Sequence, residues 1–204
     1  SPMRPAGPRD IFSPMMDLKH CIRTYDGDLP EPLCARLIGS FEALGRFQVR
    51  NGRGVRDGLE QSAWSELDLA RFSDSAFMAM FRQRIDAALQ RYNADVALPI
   101  AVPGSPLLSP LVLKRYPAGS GEHFQLHFDS IYEVCDRYLV FLWYLNDVDS
   151  GGETRFPHLD VDIAPRVGRL LMFPPYWMYQ HQGVPSPSAD KYILSTYLRF
   201  PLAG

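Results

Sequence analysis

The sequence predicts a mainly β fold with N-terminal helices (α+β): a sandwich of the jelly-roll kind, with the helices packed outside one sheet. Three observations carry this prediction. Two segments with helical apolar stripes fall within the first hundred residues. After Pro99, short β-like runs alternate with Pro and Gly punctuation, the pattern of a sandwich or barrel. One of those runs, RYLVFLWYL, is apolar at both alternating sets, so its strand is covered on both faces.

The elements follow in order. The opening SPMRPAGPRD has no apolar run, so residues 1–17 are expected to be a disordered start rather than a signal peptide. Residues 18–204 are expected to form one domain, with a helical part over 18–98 and a jelly-roll core over 99–204. In DLPEPLCARLIGSFEALG, Asp28 is placed to cap a helix and Pro30 or Pro32 suits its first turn. Leu33, Leu37, Ile38, Phe41 and Leu44 form its stripe, and Gly45 ends it. In SDSAFMAMFRQRIDAALQRYN, Ser73 or Asp74 caps a second helix that carries Phe77, Phe81, Ile85, Ala88, Leu89 and Tyr92 on one face. Between them GRFQVRNGRGVRDGLEQSAW, rich in Gly and Arg, reads as a turn or long loop. The expected strands are LVLKRY, HFQLHFD, YLVFLWYLND, GRLLMF, YWMYQH and KYILSTYLRF.

Composition narrows the function. With 46% hydrophobic residues the chain is that of a globular protein, and a net charge of −2 gives no general nucleic-acid or membrane binder. No apolar run approaches the length of a membrane span. Cys21, Cys34 and Cys135 are odd in number and widely spaced, which suits reduced thiols in a cytoplasmic protein.

The chemistry concentrates in GSGEHFQLHFDS. On a strand, residues i and i+2 share a face, so His127 and Asp129 project together. A second imidazole would complete a two-histidine, one-carboxylate triad, which leaves one face of an octahedral ion open and suits non-haem Fe(II) oxygenases. The plainer reading of the tripeptide is a wall histidine beside a surface aspartate. His20, His158 and His181 compete as the third ligand. His181 is preferred because Lys191 follows ten residues later, and a buried lysine beside such a site requires an anion. A dicarboxylate would supply one, through a charge-assisted bond.

From about Leu111 to Phe200 the chain resembles Fe(II)- and 2-oxoglutarate-dependent dioxygenases of the prolyl 4-hydroxylase type. The resemblance rests on HFD, then YLNDVDSGGETRFP, then PRVGRLLMFP, then His181 with Lys191 ten residues on. It implies a double-stranded β-helix (jelly roll, cupin-like) with helices on the major sheet. It implies iron held by His127, Asp129 and His181, and Lys191 paired with the distal carboxylate of 2-oxoglutarate. Thr154 and Tyr116 match positions that line the co-substrate pocket, although Tyr116 stands two residues earlier than the family pattern. A bulge or a purely structural role would each explain that offset. The implied reaction consumes O2 and 2-oxoglutarate, with ascorbate as a candidate reductant, and hydroxylates a C–H bond. An aspartate at 129 points to hydroxylation rather than halogenation.

The substrate is expected to be a prolyl or other residue of a peptide or protein. The alternatives are a free amino acid or small metabolite, or a non-catalytic binding module on the same fold. A zinc hydrolase is the remaining rival, and hydrolysis has no need of a lysine at this spacing. The stretch Arg46–Trp64 is expected to be a lid, because its glycines ease backbone change and long unstructured connections are often functional. Arg46, Arg50, Arg53 and Arg56 read as a solvated loop, or else as a contact for an acidic substrate. His123 is expected to be structural or solvated. Trp143, Tyr144, Trp177 and Tyr179 are expected to be mainly core, with one or two at the substrate pocket. Arg199 faces either the site or the surface.

Overall fold

Strand parity organises the molecule, and it is visible in a computed structural model that describes residues 17–201. The expected disordered start, apart from Asp17, lies outside the described residues. The elements are β1 (Arg23–Tyr25), α1 (Glu31–Ala43), β2 (Val49–Gly52), β3 (Ala63–Asp68), α2 (Ser75–Val96), β4 (Val112–Tyr116), β5 (Arg137–Tyr144), β6 (Thr154–Phe156), β7 (Val161–Ile163), β8 (Leu170–Phe173), β9 (Gln182–Gly183) and β10 (Lys191–Arg199). Seven strands form the major sheet in the order β1-β8-β5-β10-β4-β3-β2, and three form a minor sheet in the order β7-β6-β9. Every pairing is antiparallel. This is the expected mainly β architecture, a double-stranded β-helix with helices on the major sheet.

The doubly apolar β5 explains itself here. Phe141 and Trp143 point toward the helices, where Phe81 of α2 meets Trp143 edge-on at 5.7 Å. Val140 and Leu142 point the other way and line the interior between the sheets. The same alternation runs through β10, whose Lys191, Ile193, Ser195 and Tyr197 face that interior. On the outer side Tyr192 meets Phe41 of α1. The helix stripes fall as expected, with Leu33, Leu37 and Phe41 buried on α1 and Phe81, Ile85, Ala88, Leu89 and Tyr92 on α2. Asp74 caps α2 by accepting from the Phe77 amide.

Four details differ from expectation. The connection after α1 is not an unstructured loop: β2 and β3 form a hairpin that closes one edge of the major sheet. Asp28 does not cap α1, where Pro30 holds the cap position. Its carboxylate instead accepts from Trp143 Nε1 and pairs with Arg91, which ties the entry of α1 to β5 and α2. HFQLHFD is not a regular strand, and YWMYQH contains a short 3-10 turn at Trp177–Tyr179. Both segments nevertheless run extended at the points that matter for the site.

Gly168, in PRVGRLLMF, has φ of +75°, and a Cβ there would overlap the Leu29 carbonyl. Its carbonyl accepts from the Leu29 amide and its amide donates to the Tyr144 carbonyl, so it fixes the chain before α1 against β5. Gly27 has a similar φ of +67° but open space around it. Gly168→Ala is therefore expected to destabilise the fold by roughly 3 kcal/mol or more, and Gly27→Ala by about 1 kcal/mol. Urea unfolding of the two variants measures the difference.

Candidate metal centre

His127 and His181 sit directly opposite each other on neighbouring extended segments. The His127 amide donates to the His181 carbonyl at 3.0 Å, and the His181 amide returns the bond at 2.9 Å. Beyond this pair, the Gly183 amide donates to the Phe124 carbonyl, so the segment 124–127 prolongs the minor sheet past β9. Residues paired in this way share a face, and the two imidazoles lie 4.3 Å apart between ring centroids. Asp129 joins them by the i+2 relation. Its amide and that of Ser130 both donate to the Pro175 carbonyl, which sets the turn that brings the carboxylate inward. The ligand atoms of His127, Asp129 and His181 all lie within 4.8 Å of one another.

The hydrogen bonds around the histidines select their tautomers. His127 Nδ1 lies 2.6 Å from the Gln125 carbonyl and His181 Nδ1 lies 3.0 Å from the Tyr179 carbonyl. A carbonyl only accepts, so each Nδ1 is the donor and each Nε2 presents a lone pair. Those Nε2 atoms stand 3.4 Å from Oδ1 and Oδ2 of Asp129 respectively. Burial pushes the His181 imidazole down to about 4, with His127 adding to the effect, so His181 is neutral at ordinary pH. Burial works to raise the Asp129 carboxyl, whereas a proton on His181 or His127, together with Arg137, works to lower it, and the group lies below the usual carboxylate range. Tyr197 Oη donates to Asp129 Oδ1 at 3.0 Å, while Oδ2 is buried with no hydrogen-bond partner. Two imidazole lone pairs and an uncompensated carboxylate oxygen facing one point form a set of acceptors without a donor. A cation satisfies all of them, and two nitrogens with one oxygen suit Fe(II).

The same cavity continues to Lys191. Its ammonium is buried and makes no ion pair or hydrogen bond among the described residues. Nζ lies 5.5 Å from the Tyr116 ring and 5.7 Å from the Tyr144 ring. Burial pushes it down to about 8, with Glu153 opposing the shift. Lys191 is the sheet partner of Tyr116, which places both at one end of the interior. Thr154, from GGET, completes that wall. β4 pairs without a bulge, and in the turn after Tyr116 the Gly119 amide donates to the Ser186 carbonyl.

The structure brings all six sequence-selected residues to one cavity: His127, Asp129, His181, Lys191, Thr154 and Tyr116. It sets the other histidines aside from the cluster. His20 lies against Arg23 and the Val96 carbonyl, His158 occupies an exposed turn, and His123, which lines the same cavity but is not one of the cluster, is held by the Gly121 carbonyl. Arg199 is paired with Asp136. Trp143 and Tyr179 are core, and Trp177 is 66% exposed. The sequence does not single out Tyr197, and it places Tyr144 only among the mainly core aromatics. Tyr144 Oη donates to Thr154 Oγ1 at 2.6 Å and positions it. Tyr197 holds Asp129. Their parity with Leu142 and with Lys191 on their own strands was the available signal.

A two-histidine, one-carboxylate cluster inside a double-stranded β-helix is the donor set of non-haem Fe(II) oxygenases. Residues 111–199 match the family model of the 2OG-Fe(II) oxygenase superfamily. Over 76 residues the chain is 34% identical to a probable prolyl 4-hydroxylase 11 of Arabidopsis thaliana; the match spans 34% of this chain and a quarter (25%) of the relative. Solved structures share the fold across nearly the whole chain. A viral collagen prolyl hydroxylase from Paramecium Bursaria Chlorella virus-1, as its 2OG complex, superposes with a TM-score of 0.66 at 20% identity, over 89% of this chain and 97% of that one. A Pseudomonas putida prolyl-4-hydroxylase gives 0.62 at 20%, over 91% and 96%. A prolyl hydroxylase from Trichoplax adhaerens, in complex with a hypoxia inducible factor oxygen degradation domain peptide fragment, gives 0.68 at 18%, over 88% and 84%. The similarity to the 2OG-Fe(II) oxygenase superfamily thus lies in the C-terminal part of the chain, residues 111–199, and the chain spans about a quarter of the length of the curated relative that it matches.

Added Mn(II) or anaerobic Fe(II) is expected to raise the melting temperature of the protein. His127→Ala and Asp129→Ala should each lose most of that shift, while His123→Ala and His158→Ala retain it. Thermal melts with and without metal make the comparison.

Proposed function

We propose that this protein is an Fe(II)- and 2-oxoglutarate-dependent dioxygenase that hydroxylates a prolyl residue of a peptide or protein. The observation that carries the proposal is a pair of groups in one cavity: a carboxylate oxygen of Asp129 without a donor, and a buried Lys191 that makes no ion pair among the described residues. His127, Asp129 and His181 are the metal ligands in this reading, and Lys191 receives the distal carboxylate of the co-substrate. When bound there, the iron with 2-oxoglutarate supplies O2 activation and the two electrons that the reaction needs, so that each hydroxylation is matched by one succinate and one CO2.

The protein's own part is positioning. The two carbonyls at Gln125 and Tyr179 keep both Nε2 atoms directed inward, and Tyr197 keeps the Asp129 carboxylate in one rotamer. Tyr144 orients the Thr154 hydroxyl beside the co-substrate end. Val140, Leu142, Phe173 and Ile193 line the cavity and limit water. Ascorbate is the proposed external reductant. A cytoplasmic setting belongs to the same reading, on the strength of the widely spaced cysteines; among the described residues no helix is long and apolar enough to cross a membrane.

Two outcomes follow. Lys191→Met is expected to weaken 2-oxoglutarate binding by roughly two to three powers of ten, since a carboxylate is left buried and unpaired, with little change in metal affinity. The same variant should be more stable than the wild type without ligands. The folded lysine titrates near 8 against an ordinary 10.5. Between those values the unfolded chain binds more protons, so wild-type stability rises with pH across the window. Below it the full cost of the buried charge is present, on the order of 3 kcal/mol. The advantage of the variant is thus greatest below pH 8 and gone above about 10.5. Calorimetric titration and urea unfolding at several pH values test both. For the reaction, proline-containing peptides should raise succinate release above the substrate-free rate and yield hydroxyproline. Stimulation by free amino acids alone would replace the peptide assignment.

A further inference from the structure

The interior face of the major sheet carries a second lysine, which is half-buried. Lys114 alternates with Tyr116 on β4, so it points inward, and its sheet neighbour on β10 is Ile193, two residues from Lys191. Lys191 is accounted for by the co-substrate. Lys114 is not. It stands where the metal cavity meets an adjoining groove of about 270 Å³ on the side away from Lys191, and it lines both. Its ammonium lies 5.2 Å from the Trp64 ring and 5.6 Å from the Phe124 ring, with no hydrogen bond or ion pair among the described residues. Burial lowers its pKa, with Glu66 and Asp129 opposing the shift.

The other charged groups of the groove divide unequally. Glu66 accepts from Trp64 Nε1 at 2.6 Å and from Asn51 Nδ2 at 3.0 Å. Asp68 accepts from the Ala70 amide. Asp129 faces the metal position. Glu66 and Asp68 are therefore engaged within the fold. The cations are not. Arg137 lies over the Tyr197 ring at 4.0 Å and donates to the Asp129 carbonyl at 3.3 Å, but its Nε is buried without a partner. Arg56, which is exposed, lines the outer groove and makes no ion pair among the described residues. Apart from Asp129 Oδ2, which faces the metal position, the buried side-chain atom of this groove left without a partner is Arg137 Nε, a donor, and it adjoins the carboxylate that would hold the metal. A cation that is even partly withdrawn from water and lacks a partner costs stability, and a ligand of opposite charge offsets that cost.

We infer that the substrate of this site carries a carboxylate that docks on Lys114, with Arg137 as the neighbouring donor. This rests on the metal and co-substrate roles given above. Trp64 and Phe124 form the apolar floor beneath the ammonium, stacked at 4.6 Å, and Phe124 in turn stacks on His127 at 3.8 Å. A substrate held by Lys114 is therefore held within one aromatic layer of a metal ligand. The carboxylate has two sources with the same chemistry: an acidic side chain flanking the target residue, or a terminal α-carboxylate. The Arg-rich stretch of the hairpin contributes through Arg56, whereas Arg50 is committed to Glu122.

The test uses the protein with Fe(II) and 2-oxoglutarate, without O2, titrated calorimetrically with four short proline peptides. Three are acetylated and amidated and place Glu, Gln or Lys beside the proline; the fourth is the Gln peptide with a free C-terminal carboxylate. The Glu peptide, or the free-acid Gln peptide, is expected to bind about tenfold or more tighter than the amidated Gln peptide, and which of the two does so identifies the source. Lys114→Met should abolish that preference, and Lys114→Glu should shift it to the Lys peptide, a reversal that loss of folding cannot produce. Equal binding by all four, no binding by either carboxylate peptide, or a preference that survives Lys114→Met overturns the inference. So does a loss of 2-oxoglutarate affinity in Lys114→Met as large as that in Lys191→Met, which would assign Lys114 to the co-substrate. Admitting O2 to the same samples separates the two claims. A carboxylate preference without succinate release counts against the proposed activity alone, and succinate release without a preference counts against the carboxylate alone.

Discussion

His127 and His181 exchange both of their backbone hydrogen bonds across two segments that are otherwise scarcely strands. Most of the site's geometry depends on that pairing. It puts two imidazoles on one face without help from either side chain, and the i+2 relation then adds Asp129. The carbonyls that orient the Nδ1 atoms belong to the same two segments, at Gln125 and Tyr179, each two residues before its histidine. Local backbone shape therefore sets ligand direction, tautomer and spacing together. The remainder of the fold supports this pair: β9 and β6 carry the distal segment, and the β2–β3 hairpin carries the proximal one. The Ala63 amide donates to the His123 carbonyl, and Gln125 bonds to Gln61, Ser62 and Gly58. The turn that sequence composition suggested as a lid is thus anchored to the segment bearing His127.

Electrostatics gives the interior a direction. Lys191 lies at one end, Lys114 toward the other, and the acceptor cluster of His127, Asp129 and His181 lies between. Each of these groups is taken out of water and left without a full complement of partners, which costs stability in the ligand-free protein. Such costs are retained where ligands later offset them. Metal, co-substrate and a carboxylate-bearing substrate would offset them in turn, and each would bind more tightly for the presence of an opposite charge nearby. The outer face of the same sheet shows the contrast. There Asp28 is fully engaged by Trp143 and Arg91, and the packing of α1 and α2 is apolar.

Much of this was legible in the sequence. The doubly apolar run of β5 required cover on both faces, and the helix stripes supplied one cover. The HxD spacing, His181 and the ten-residue step to Lys191 pointed to residues that the fold brings to one cavity. The local reason was only partly right: residues 127 and 129 share a direction through an isolated bridge and a turn, not through a regular strand. The β2–β3 hairpin was hidden because an edge strand such as Val49–Gly52, with its polar and glycine residues, shows no apolar alternation. Asp28 was read as a cap because a local pattern cannot reveal partners more than sixty residues away. Lys114 was overlooked for a similar reason. Its parity with Tyr116 was visible in VLKRY, but only the arrangement of β3, β4 and β10 shows that this face is the interior of the site rather than solvent.

A crystal structure of the protein with Mn(II) and 2-oxoglutarate tests the central claim most directly. The expected result is one metal ion bound by Nε2 of His127, Nε2 of His181 and a carboxylate oxygen of Asp129, with the co-substrate chelating that ion and its far carboxylate on Lys191 Nζ. A metal bound through other residues, or a co-substrate whose far carboxylate lies away from Lys191, would contradict it.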